Sequence, residues 1–191
     1  MGALEVRDDS RGSMRSPARF LFAVACALAV AACARGRAPR EEIPSGYPQW
    51  ERTTEVKLDY PIPGHEDRFR VIRINPTGAA YAPPAAETKR RWDYPAGTVV
   101  VKEIFASSSP GEGEPPVAVT AMIKAPADSR SVGGWLWIMK DLSKPLPNER
   151  VFSDRFCVAC HANANERHPY GDGNPTEEFR DYLFFPPESA R

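Results

Sequence analysis

The chain has 191 residues, enough for one domain of ordinary size once an N-terminal targeting segment and a short linker are set aside. Lysine plus arginine equals aspartate plus glutamate at 25 each, so no summed field draws the protein to nucleic acid or to an anionic membrane surface. Twenty prolines and 13 glycines among nine Phe, six Tyr and four Trp argue against long helices and for short strands turning about an aromatic core.

Arg11, Arg15 and Arg19 precede an apolar run over residues 20–32, which is too short to span a bilayer comfortably but suits the central region of a secretory signal. Residues 1–33 are therefore read as a signal peptide, starting at Met1 or Met14, and the mature protein as exported to the periplasm. Val30, Ala31, Ala32 and Cys33 resemble the lipobox of bacterial lipoproteins, in which the cysteine becomes a lipidated first residue and would anchor the chain to the outer membrane. Simple cleavage after the small-x-small sequence Ala32, Cys33, Ala34 is the alternative. Residues 34–46 are charged and proline-broken and read as a flexible linker, leaving residues 47–191 as the folded domain.

Within that domain Val56, Leu58 and Tyr60 alternate with polar residues, and residues 69–74 are a second run of β-formers ended by Asn75 and Pro76. Residues 85–92 carry good helix formers and predict a helix before the turn at Tyr94 to Gly97. Residues 98–105 predict the clearest strand, and residues 107–116, rich in Ser, Gly and Pro, a mobile surface connection. Residues 117–124 and 134–139 complete at least five strands, and the turn-sized gaps predict consecutive antiparallel neighbours. The expected fold is α+β, mainly antiparallel β: a single β-rich sheet domain with a short C-terminal helix. Ser153 or Asp154 caps that helix, which runs through Phe156, Cys157, Cys160 and His161 and ends near Glu166 and Arg167.

Cys26 and Cys33 fall in or at the edge of the leader, which leaves Cys157 and Cys160 for chemistry in the folded domain. With His161 they form C-x-x-C-H, the attachment pattern of c-type haem. The spacing has a physical reason. On a helical turn two thiols reach the two vinyl groups of one porphyrin edge, and the next residue points its imidazole at the iron as proximal ligand. A thioredoxin-like pair, a local disulfide and half of a zinc site compete with this reading. A zinc site would lack its other half, and a thioredoxin-like pair would come early in the domain. A helical cytochrome fits neither the preceding strands nor the prolines. For the sixth iron position only Met122, Met139, His65 and His168 are available after the leader. The methionines read as core filler and the histidines as surface residues, so an iron open on one side is the default.

An exported β-rich domain with a C-terminal C-x-x-C-H resembles the cytochrome P-460 family, whose relatives include cytochrome c′-beta. The likeness runs from Phe69 to Phe184. It rests on Phe69 and Arg70 ahead of Asn75-Pro76, the strand Gly97 to Glu103, Gly134 to Ile138, the haem motif, and Asp181, Tyr182, Leu183 and Phe184. The resemblance implies one covalent haem c and a bond from the Lys102 side-chain nitrogen to a meso carbon of the macrocycle. Lys102 shares a strand face with Val100 and Ile104, which carries its amine toward an apolar interior unless it snorkels outward. The resemblance also places Arg70 in a distal pocket, where a fixed charge could orient a small polar ligand; an ordinary exposed strand arginine is the other reading. Hydroxylamine-oxidising members have a carboxylate just after the haem motif as proton acceptor. Here Asn163 stands in its place, Glu166 is a candidate substitute and Asp172 a weaker one, and either could be a plain solvated side chain. The implied activity is hydroxylamine oxidation or a step on nitric oxide, with a small redox protein as electron acceptor and a homodimer as the common assembly. Non-catalytic nitric oxide binding of the cytochrome c′-beta kind, or simple electron transfer, are the alternatives.

Overall fold

The computed structural model of the protein describes residues 43–54, 58, 68–84, 89–145 and 148–187. The signal peptide and lipobox, linker residues 34–42, Val56, Tyr60, His65 and residues 85–88 of the predicted helix lie outside the described residues.

Six strands follow one another in space in the order of the chain: β1 (Glu51–Arg52), β2 (Arg70–Ile74), β3 (Val99–Ile104), β4 (Ala118–Lys124), β5 (Trp135–Asp141) and β6 (Glu149–Phe152). Every pairing is antiparallel, as short connections between neighbours require. The predicted strands over residues 69–74, 98–105, 117–124 and 134–139 are present within a residue or two. β1 and β6 were not anticipated, because two and four residues are too few to display an alternating pattern. Of the strand expected around Leu58, the described part is an isolated bridge from Leu58 to Arg70.

Both faces of the sheet are covered. On one, Val99, Val101, Val119, Ala121 and Ile138 pack with Ile43, Tyr47 and Trp50. Ile43 is 7 % exposed and its N–H donates to Glu149, so the packed chain includes residues first assigned to the linker. On the other face Ile74, Val100, Met122, Trp135 and Trp137 meet Trp92, Tyr94, Val158 and Leu183. β3 therefore lies between two packed faces, with Lys102 and Glu103 its charged residues.

Asn75 closes β2. Its Oδ1 accepts from the Gly78 and Val99 amides at 3.1 and 3.0 Å, and its Nδ2 donates to the Gly97 carbonyl at 2.9 Å. It thereby caps the short helix α1 (Pro76–Ala79) and ties β2 to β3. The described part of the helix expected over residues 85–92 is not helical. Arg91 bridges to Phe179, the Trp92 amide donates to the Phe179 carbonyl at 2.7 Å, and the buried Trp92 ring is drawn into the core, so tertiary pairing overrides helix propensity.

Helix α2 (Phe156–His161) carries the cysteines. Asp154 Oδ1 accepts from the Phe156 amide at 3.1 Å, close to the cap that its sequence suggests. The α-helix stops at His161 and tightens into a 3-10 turn (Ala162–Asn165), short of the expected end near Arg167.

Candidate haem site

Strand register assembles the floor of the site. Ile72, Lys102, Thr120 and Met139 stand side by side across β2 to β5, and Ile74, Val100, Met122 and Trp137 form the next row of the same face. Arg70 precedes Ile72 by two residues and shares this face. It is 2 % exposed, and its Nε donates to the Leu58 carbonyl at 3.2 Å. The reading of Arg70 as an ordinary exposed arginine is thus overturned: a fixed positive charge lies within the fold.

Lys102 is half-buried, and desolvation followed by the Arg70 charge lowers its ammonium pKa to about 8. Cys160 and Cys157 act on it in the opposite sense, so Lys102, Arg70 and both thiols lie within electrostatic reach of one another. Cys157 is half-buried and Cys160 exposed; both are free thiols three residues apart, one turn along α2. Burial, then Asp154, pushes the Cys157 thiol up.

His161 is the most tightly determined side chain of the group. Its Nδ1 lies 2.9 Å from the Tyr182 carbonyl oxygen. A carbonyl can only accept, so Nδ1 carries the proton and Nε2 keeps a lone pair. Desolvation and the Lys102 charge lower the imidazolium pKa to about 4, against the opposing effect of that hydrogen bond, which keeps the ring neutral at ordinary pH. The ring meets Trp137 edge-on at 4.9 Å and Phe184 at 5.5 Å between centroids.

The donor set fits a haem: an oriented neutral imidazole, two thiols on the adjoining helical turn, and a sheet face with apolar side chains on the same side as Lys102. Met139, expected as core filler, is 39 % exposed on this face, and Phe156, beside Cys157, is 77 % exposed. Met122 is buried, as expected of core filler. Among the described residues no group of three or more His, Cys, Asp and Glu is placed to hold a metal ion by itself, so the cysteine pair has no zinc-type companions there.

His168 departs from its expectation as a surface residue. It is 7 % exposed, packed against Tyr170 and Phe184, and its Nδ1 accepts from the Tyr170 amide at 3.2 Å. The segment that follows folds back on itself and buries it: Arg180 holds Asp172 through two contacts of 2.6 and 2.7 Å, and Asn174 donates to the Ala164 and Glu178 carbonyls. Asp172 is engaged in that closure. Glu166 is exposed at the end of the 3-10 turn, and Asn163 is exposed before it. No hydrogen bond or ion pair among the described residues joins the Glu166 side chain to Lys102, Arg70 or His161.

Tyr182 contributes a backbone carbonyl, which has no side-chain signature in a sequence. Lys124 escaped the sequence reading, and Asp181 entered it only as part of the family likeness with no role assigned; together they hold the Tyr182 turn. A family model described as Cytochrome P460 matches residues 44–185. No curated protein matches the chain.

Proposed function

The chain belongs to the cytochrome P460 family and is a haem-binding cytochrome, and from that premise we propose that it is an exported mono-haem c-type cytochrome acting on hydroxylamine or nitric oxide. The observation that carries this reading is the His161 imidazole directly after Cys160, with Nδ1 bound to the Tyr182 carbonyl and Nε2 left for iron. When bound, the haem would supply a redox-active iron able to take a small ligand.

The chain's own residues divide the remaining work. Cys157 and Cys160 would hold the haem covalently, and His161 would ligate its iron. The lowered pKa of Lys102 supports a reactive amine directed at the macrocycle, the role that the family likeness gives it. Arg70, buried and rigidly held, orients a small polar ligand with its fixed charge. Oxidation of hydroxylamine releases electrons and protons together; the electrons would leave to a small redox protein, and Glu166, the first carboxylate after the haem motif, would take protons. Residues 1–33 direct export to the periplasm, with Cys33 as the site of a lipid anchor.

The test uses protein expressed with haem-maturation machinery. Haem that stays attached in denaturant and is lost in Cys157→Ala/Cys160→Ala supports covalent attachment, and a colourless parent refutes it. A strongly red-shifted Soret band that reverts in Lys102→Ala supports the cross-link; an ordinary c-type spectrum in the parent excludes it. Hydroxylamine turnover with an artificial electron acceptor then tests the enzyme, with Glu166→Ala as the probe of proton transfer. A diacylated Cys33 at the mature N-terminus, read by mass spectrometry, tests the anchor.

The exposure of Glu166, with no hydrogen bond or ion pair among the described residues to Lys102, Arg70 or His161, favours a second reading, nitric oxide binding without turnover. Tight nitric oxide binding with no hydroxylamine oxidation selects it.

A further inference from the structure

We propose that Lys124 and Asp181 are positioning residues that tune the haem iron through the proximal ligand, by holding the turn that presents the Tyr182 carbonyl to His161. The inference rests on the haem reading above.

Its first ground is the shape of the turn. Residues 180–183 close through the Leu183 amide, which donates to the Arg180 carbonyl at 3.0 Å. The two central residues are both left-handed, Asp181 at φ +49° and Tyr182 at φ +72°. Neither is glycine, and a bulky aromatic in that region is disfavoured, so the surroundings must hold the conformation.

The second ground is what holds it. The Asp181 carboxylate is 1 % exposed and accepts three bonds: from Lys124 Nζ at 2.5 Å, from the Tyr94 amide at 3.0 Å and from Trp135 Nε1 at 3.1 Å. Lys124 and Trp135 belong to β4 and β5, so the turn is fastened to the sheet. Asn165, in the 3-10 turn after the haem helix, accepts from the Arg180 amide at 2.8 Å and the Tyr182 amide at 3.4 Å, which fastens the same turn to the helix of the cysteines. A charged pair buried between these anchors fixes orientation more than it stabilises, since desolvation offsets much of its attraction.

The consequence is electronic. A proximal imidazole whose Nδ1–H is firmly bound gains imidazolate character, donates more strongly, and favours ferric over ferrous iron. Loosening the turn weakens that bond without touching a ligand atom.

The experiment compares haem-loaded parent, Asp181→Asn, and the double variant Asp181→Asn/Lys124→Met, with Ile138→Val on the opposite sheet face as control. Asp181→Asn keeps the size and removes the charge, and Lys124 retains Asp93 as a partner at 3.3 Å. The double variant leaves neither buried charge unpaired and serves where the first fails to fold. Expected are a shift of the ferrous iron–His161 stretching band to lower frequency and a rise in reduction potential in either variant, with no change in Ile138→Val. A haem-loaded Asp181 variant with unaltered stretch and potential overturns the proposal, as does an equal change in Ile138→Val. A parent that binds no haem overturns the underlying reading, and is told apart because it is colourless before any substitution.

Discussion

Gly133 lies where the haem helix and the proximal carbonyl close on the sheet. Its φ is +66°, and a Cβ there would meet the Tyr182 ring at 2.9 Å and a Val158 methyl at 3.0 Å. Gly133→Ala combines a disfavoured backbone with a Cβ that the Tyr182 ring would have to move to admit, and is expected to cost about 2–3 kcal/mol in denaturant unfolding; a neutral effect would overturn that expectation. Lys102 makes a prediction of opposite kind. Its folded pKa of about 8 lies below the ordinary 10.5, so between those values the unfolded chain binds the extra proton. Haem-free protein should therefore gain stability as pH rises from about 8 to 10.5, by up to about 3 kcal/mol, and lack that gain in Lys102→Met. Unfolding midpoints measured across that window decide it. Cys157, Cys160 and His161 were legible in the sequence because their pattern resides in residue type and spacing, whereas a role for Lys102 came only with the family likeness. The Tyr182 carbonyl was not legible, since any residue could supply one and only the turn conformation selects it.

The elements that the sequence displayed are those long enough to show their period. β3 and β4, at six and seven residues, carry patterned β-formers and were found nearly to the residue. β6, with Glu149 and Arg150 among four residues, presents no such pattern and is recruited by pairing with β5. The failed helix before Trp92 teaches the same point in reverse: helix formers occur there, but a buried tryptophan and the Phe179 carbonyl determine the backbone. Asn75 is where local chemistry and tertiary pairing coincide, serving α1, the β3 start and the Gly97 carbonyl together. Asn75→Ala removes three hydrogen bonds and is expected to destabilise by about 2 kcal/mol, beyond the loss of a helix cap alone. Asn75→Asp keeps the accepting oxygen and should recover part of that loss in thermal melts.

The two faces of the sheet differ as wholes. One is closed by Ile43, Tyr47 and Trp50, whereas the Lys102 face has Met139 and Phe156 exposed beside the cysteines. Protein produced without haem maturation should bind an apolar fluorescent dye and melt at a lower temperature than the haem-loaded form, because a cofactor that binds the native state stabilises it. Equal dye binding by both forms would show that this surface is not part of the haem site.

The strand order has a consequence in time. Because each strand pairs with its successor in the chain, an elongating polypeptide can complete the sheet through successive local closures, which cost little loop entropy. Lys102 and Arg70 belong to that early scaffold, whereas the thiols, the imidazole and the Tyr182 turn are made last. On the function proposed above, the Lys102 amine would already be seated when Cys157, Cys160 and His161 emerge, and haem attachment would be the closing act of assembly.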